Sequence, residues 1–150
     1  MTLTPDICVI GAGSAGLTVA AAAASFGQDV VLVERGRMGG DCLNYGCVPS
    51  KALIAAAKAA HRQAGLGVEV TTEIDYGAIH DHVHGVIAAI APHDSVERFE
   101  GLGVTVIKAE ARFVDADTLE AGGTTIRARR YVVATGSRPV IPPIPGLAEC

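Results

Sequence analysis

Tryptophan is absent from this chain of 150 residues, and tyrosine and phenylalanine number three each. With aromatics at 4%, a tyrosine-rich binding surface is excluded, and small-residue packing of helices against a sheet is favoured. No apolar stretch reaches the roughly 18 to 20 residues of a membrane span. The opening Met1-Thr2-Leu3-Thr4-Pro5 has no basic region of the kind that begins a signal peptide. No run of Lys and Arg interrupts a chain of net charge -4, so nucleic acid finds nothing to hold. The four cysteines, Cys8, Cys42, Cys47 and Cys150, are too few and too unevenly spread for a secreted disulfide framework. These absences lead us to expect a cytoplasmic protein with no nucleic-acid or membrane partner. In a reducing compartment, a close pair such as Cys42 and Cys47 points to catalysis or metal binding rather than to a structural bridge.

What the chain does have is apolar residues at 49% and 18 glycines, with alanine runs at Ala20–Ala24 and Ala55–Ala57. That suffices for one domain with a real core. Asp6–Ile10 is a short apolar run closed by glycine and reads as a buried parallel strand. An alanine-rich helix over Ser14–Phe26, stopped by Gly27, and a second apolar strand over Asp29–Val33 complete a βαβ unit. A glycine-rich stretch, Gly36–Gly46, leads to a helix over Pro49–Ala64, where Pro49 suits the first turn. Helical spacing of Ile79, Val83, Val86, Ile87 and Ile90 marks Asp75–Phe99, which Pro92 should kink or split. Val104–Ile107 reads as a strand. Ala111–Val114, Thr118–Ala121 and Thr125–Ala128 read as a small antiparallel ladder, and Tyr131–Ala134 returns to a buried strand. The tail with Pro139, Pro142, Pro143 and Pro145 has the composition of a linker. The expected fold class is α/β, a Rossmann-like domain with a parallel sheet and a small antiparallel β insertion.

Between the first strand and helix lies Gly11-Ala12-Gly13-Ser14-Ala15-Gly16, a G-x-G-x-x-G. The first glycine permits the tight turn, the second lets the backbone approach a pyrophosphate, and the third allows close helix–strand packing. The helix N-terminus behind it offers free N–H groups and a positive dipole end. Glu34 ends the second strand, where its carboxylate can accept hydrogen bonds from the ribose hydroxyls of an adenosine. Dinucleotide binding is the expectation; the motif alone does not separate FAD from NAD, and a glycine-rich turn with a solvated Glu34 is the bland alternative.

The second feature is Gly39-Gly40-Asp41-Cys42-Leu43-Asn44-Tyr45-Gly46-Cys47-Val48-Pro49-Ser50-Lys51. Residues five apart on a regular helix are about 8 to 9 Å apart at Cα, whereas a disulfide needs less than about 7 Å. If Cys42 and Cys47 bond, the first helical turn must therefore be distorted, and Gly46 and Pro49 would permit it. Such a bond would be local and reducible, and a nearby helix N-terminus would favour a thiolate. A zinc site is disfavoured, because Cys8 and Cys150 do not form the second pair that it usually requires. Cys8, in a buried strand, reads as a small core residue. His80-Asp81-His82-Val83-His84 places His80 and His84 on one helix face. Two such histidines can hold a transition metal, but a solvated helix face is the reading preferred from sequence, and no metal site is expected.

The cysteine segment, in its G-G-x-C-L-N-x-G-C-V-P-S-K-A-L context at residues 39–53, resembles that of the flavin-dependent pyridine nucleotide-disulfide oxidoreductases. These are the glutathione reductase, dihydrolipoamide dehydrogenase and mercuric reductase group. The resemblance covers essentially the whole chain and includes Ala134-Thr135-Gly136-Ser137-Arg138-Pro139. It implies FAD in the glycine loop, with Gly11, Gly13, Ser14, Ala15, Gly16, Glu34 and Arg35 among the residues that hold it. It also implies that Gly40, Asp41 and Cys42 line the ribityl and pyrophosphate path, that Ala111 gives backbone contacts to adenine, and that Ala134, Thr135 and Gly136 approach the flavin. Cys47 would be the flavin-proximal thiolate, Cys42 the thiol that attacks substrate, and Lys51 a neighbour of the flavin N5 edge. Electrons would pass from NAD(P)H through the flavin to the disulfide and on to a small-molecule disulfide, dithiol or metal-ion substrate.

Members of that group are several times longer and act as homodimers. A second G-x-G-x-x-G and a later G-D segment have no counterpart here. The expectation is the N-terminal part of an FAD-binding domain, residues 1–150, without nicotinamide and interface domains, inactive alone and weak or null in FAD binding. Ile87–Phe99 looks more like the mercuric reductase branch, with dihydrolipoamide dehydrogenase as the alternative. A non-catalytic nucleotide-binding module is the alternative of another class, disfavoured because binding needs no dithiol.

Overall fold

The computed structural model describes residues 1–64, 74–138 and 140–149; Pro139 and Cys150 lie outside them. Strands β2 (Ile7–Ile10), β3 (Val30–Val33), β4 (Thr105–Ile107) and β8 (Arg130–Val133) form one sheet in the order β4-β3-β2-β8. All its pairings are parallel, with Ile7 opposite both Val30 and Arg130. Parallel strands covered on both faces read as continuous apolar runs, and all four residues of β3 are buried.

Alternation sorts those side chains into two cores. Val9, Val30 and Leu32 pack with Leu17, Ala20 and Ala23 of helix α1 (Ser14–Ser25) and with Phe99 of helix α5 (Val96–Gly101). On the opposite face, Cys8, Val31 and Val33 pack with Leu119, Ala121 and Ile126 from a second sheet. Each fully buried Val, Leu or Phe contributes about 1.5–3 kcal/mol. Alanines on the sheet side of α1 let helix and sheet approach closely.

The second sheet runs β1 (Thr2–Leu3), β7 (Thr124–Ile126), β6 (Leu119–Ala121), β5 (Ala111–Phe113). Its β5–β6–β7 part is the antiparallel ladder expected from sequence. The sheet as a whole is mixed, because β1 pairs parallel with β7, Thr2 opposite Thr125. Two residues are too short for a periodic signal, so the sequence held no trace of β1. Tyr131 joins the sheets: its hydroxyl accepts from Ala128 N at 3.0 Å and faces the Asp117 and Ile126 carbonyls, each at 2.9 Å.

Pro92 splits the expected 75–99 helix. Helix α4 spans Tyr76–Ile90, a 3-10 turn takes Ala91–Asp94, and α5 follows. Asp75 caps α4 by accepting from Ala78 N at 3.1 Å, and Ser95 caps α5 by accepting from Arg98 N at 3.2 Å. Helix α3 (Cys47–Ala64) packs against α4 as a hairpin. Among the described residues, no helix is long and apolar enough to cross a membrane.

Candidate functional site

The glycine loop is built by contacts that exclude side chains. Gly11 has φ +105°, and a Cβ there would overlap the Ala134 carbonyl oxygen and lie 2.8 Å from its carbon. A Cβ on Gly16 would overlap the Gly11 carbonyl and come within 3.3 Å of Val9 Cγ1, so α1 rests directly on β2. Gly40, at φ +55°, would place a Cβ 2.6 Å from Gly13 Cα. Gly39 (φ +82°) donates its N–H to Ala12 O at 2.9 Å. The cysteine segment is thus stitched to the glycine loop by backbone-to-backbone approach. Helix α1 opens on Gly13 with no side-chain cap and no acidic residue in its first turn, leaving its N–H groups available to an anion.

Glu34 stands where expected, at the end of β3, and it also organises the loop. Its Oε2 accepts from Ala12 N at 2.6 Å, and its Oε1 accepts from Gly36 N. A carboxylate has about four acceptor positions, so each oxygen retains one for a hydroxyl. Beside it lies a cavity of about 500 Å³ bounded by Gly11, Glu34, Arg35, Ala111, Thr135 and Gly136. An adjoining cleft of about 250 Å³ continues past Gly13, Gly40, Asp41 and Ala134. A path with glycine at its tight points, uncapped helix N–H groups and a carboxylate at one end fits a dinucleotide. Among the sequence-predicted residues, Ala15 is exposed on the first turn of α1 and Gly16 is buried, and neither these two nor Ser14, Cys42, Cys47 and Lys51 border these two cavities.

The two cysteines are free thiols on two helices. The helix start expected at Pro49 is corrected here. A five-residue helix, α2 (Gly40–Asn44), carries Cys42, and Cys47 is the first residue of α3. Between them the Asp41 carbonyl accepts both Tyr45 N at 2.8 Å and Gly46 N at 2.7 Å, which closes α2 and turns the chain. Cys42 and Cys47 are hydrogen-bonded side chain to side chain, and that bond, followed by partial burial, raises the Cys42 thiol above its ordinary value. The Lys51 ammonium and a Cys47 backbone hydrogen bond pull the other way. Cys42 therefore holds its proton more firmly than a free thiol. It also faces a third cavity, of about 480 Å³, with Ser14, Thr18, Ile90, Asp94 and Arg98.

Several contributors escaped the sequence. Asn44 Nδ2 donates to Met38 O at 3.0 Å and to Gly40 O at 2.8 Å, bracing the cysteine segment internally. Arg35 pairs with Glu110 at 3.4 Å across the cavity rim. Lys108 Nζ donates to Gly36 O. The Arg37 guanidinium lies 5.9 Å from the Tyr45 ring centroid. Position within the cysteine motif was a usable signal for Asn44. The other pairings join distant parts of the chain or have no spacing signature.

The pyridine nucleotide-disulphide oxidoreductase family matches over residues 5–150. Mercuric reductase of Lysinibacillus sphaericus is 34% identical over 148 residues, 96% of this chain and 27% of that protein. Dihydrolipoyl dehydrogenase of Geobacillus stearothermophilus is 39% identical over 145 residues, 90% of this chain and 30% of that protein. Among solved structures, the Cu(II) complex of the HOCl-induced flavoprotein disulfide reductase RclA from Escherichia coli superposes with a TM-score of 0.78. It is 26% identical and covers 95% of this chain and 30% of that chain. The chain thus spans a quarter to a third of the length of the relatives it matches. With its cysteine segment set against the glycine loop and this match over nearly its whole length, the chain belongs to the pyridine nucleotide-disulphide oxidoreductases.

Proposed function

We propose that this chain is the N-terminal FAD-binding segment of an NAD(P)H-dependent flavoprotein disulfide oxidoreductase of mercuric reductase type. The observation that carries this reading is the contact of Gly13 with Gly40, which sets the Cys42 helix against the dinucleotide cradle. In it, Glu34 accepts the ribose hydroxyls, Ala111 lines the adenine end, and the α1 N-terminus with Gly13, Gly40 and Asp41 receives the pyrophosphate. Thr135 and Gly136 border the flavin side. Bound there, FAD would supply a two-electron carrier between reduced nicotinamide and the cysteine pair.

The chain's own part is thiol chemistry. The reduced pair holds two electrons and two protons, one of them in the hydrogen bond between Cys42 and Cys47. Against a disulfide, Cys42 gives up its proton and its sulfur attacks one sulfur, expelling the other as a thiolate that takes up that proton, and a mixed disulfide is left. Cys47 then attacks Cys42 Sγ, releases the second thiol and leaves a Cys42–Cys47 disulfide. The cleft with Ser14, Thr18 and Asp94 provides the approach to Cys42. Lys51 favours the anionic form of Cys42 electrostatically. A soft metal ion would instead be held by the two thiolates. Mercuric reductases and dihydrolipoyl dehydrogenases both stand among the relatives, so a dihydrolipoamide substrate is the second reading. We place the whole protein in the cytoplasm as a homodimer.

Equilibrium dialysis against FAD, ADP and FMN tests the cradle. FAD and ADP should compete for one weak site, and FMN, which lacks the adenosine half, should not enter it. Equal retention of FMN and FAD, or FAD retention that ADP does not displace, would contradict the reading.

A further inference from the structure

We propose that His80 and His84 of α4 form a two-imidazole site for a borderline divalent transition-metal ion of the Cu(II)/Ni(II) class, separate from the cysteine pair. Sequence spacing alone favoured a solvated helix face; two features of the structure change that. First, the rings converge: their centroids are 4.3 Å apart, inclined at 51°. Metal–nitrogen bonds of about 2.0–2.1 Å put two adjacent imidazole nitrogens about 3 Å apart, within reach of rings so placed by a small side-chain rotation. Second, Asp81 Oδ1 lies 3.4 Å from His80 Nδ1. With the proton on Nδ1, His80 donates to that carboxylate and turns the lone pair of Nε2 outward. A carboxylate behind a ligating imidazole is the arrangement that fixes tautomer and ring orientation at metal sites.

The remaining coordination positions go to water. His80 and Asp81 side chains are 70% and 86% exposed, so no desolvation opposes entry of a hydrated ion. No group of three or more potential ligands occurs among the described residues, so a closed tetrahedral zinc site is not available here. The geometry points to a surface chelate held by two imidazoles, and the affinity order of divalent ions for nitrogen ligands peaks at Cu(II). Neighbouring imidazoles one helical turn apart act as a chelate because binding by the first presents the ion to the second at high local concentration. His82 sits two residues from each and lies off their shared face. It is the internal control.

The test uses the full 150-residue chain with its thiols alkylated, so that Cys42 and Cys47 cannot bind or reduce the probe. Cu(II) is titrated in, affinity is read by calorimetry, and the ligand set is read by pulsed electron paramagnetic resonance. The expected result is one site with the signature of two imidazoles. His80→Ala and His84→Ala should each weaken it by about tenfold or more and reduce the signature to one imidazole. His82→Ala should leave affinity and spectrum unchanged. The proposal is overturned if His84→Ala retains the wild-type affinity and two-imidazole signature, or if His82→Ala loses as much. Circular dichroism of each variant verifies that α4 is retained, and these exposed positions make its loss unexpected.

Discussion

The β2–α1–β3 unit and the α3–α4 hairpin are built on opposite terms. In the first, Val9, Ala20, Val30 and Leu32 are fully buried, and glycine is required at the tight points because backbone lies where a Cβ would be. In the second, Ala52 is the buried residue of α3 among those described, α4 has none, and Leu53, Ile54 and Tyr76 are at least half exposed. The β2–α1–β3 unit is a closed, self-consistent core that holds the glycine loop in one shape. The hairpin rests on helix caps, pairwise packing and local contacts. Sequence changes should therefore be costly in one region and nearly silent in the other.

The largest effect is expected at Gly16. Gly16→Val drives a branched side chain into the Gly11 carbonyl, and the chain should fail to give a cooperative thermal transition. Next, Leu32→Ala leaves a cavity in the α1 face of the sheet and should cost about 2–5 kcal/mol in denaturant unfolding. Tyr131→Phe removes the hydroxyl that links β8 to the second sheet and should cost about 1–3 kcal/mol by the same measurement. Leu53→Ser, half exposed in the apolar groove between α3 and α4, should cost least, about 1 kcal/mol or less. Equal costs for Leu32→Ala and Leu53→Ser would erase the contrast between the two regions.

Cys8 sharpens the comparison through pH. Burial pushes its thiol from the model-compound value of 9.0 up to about 12. The stability associated with the protonated, buried thiol is complete below pH 9.0 and is lost as pH rises toward about 12, because only the unfolded chain ionises there. Wild-type stability should fall more steeply across that window than that of Cys8→Ala. Parallel slopes in the two chains would contradict the assignment.

Much of this was legible beforehand because it is local. An apolar run closed by glycine, an alanine-rich helix and an acid at the next strand end mark the βαβ unit and its glycine loop within 34 residues, and the structure brings Gly11, Glu34, Ala111 and Thr135 around one cavity. Pro92 marked the break between α4 and α5 by its missing N–H. What was not legible depends on distant partners or on weak local preference. Strand β1 exists only through β7, more than a hundred residues away. Helix α2 starts on two glycines at positive φ, against helical propensity, and is braced by Asn44 and by its stitching to Ala12. That helix moved Cys42 off the helix that carries Cys47, which spacing alone could not reveal.

The central claim is that Cys42 and Cys47 are one redox pair. Trypsin cuts after Arg37 and Lys51, so Met38–Lys51 is a single peptide that holds both thiols and excludes Cys8 and Cys150. Mass spectrometry of that peptide after mild oxidation of the folded chain, with alkylation before and after reduction, tests the pair directly. The account predicts a peptide lighter by two hydrogens that takes up two alkyl groups only once reduced. A peptide that carries both alkyl groups before reduction, or that is crosslinked to Cys8 or Cys150, would contradict it.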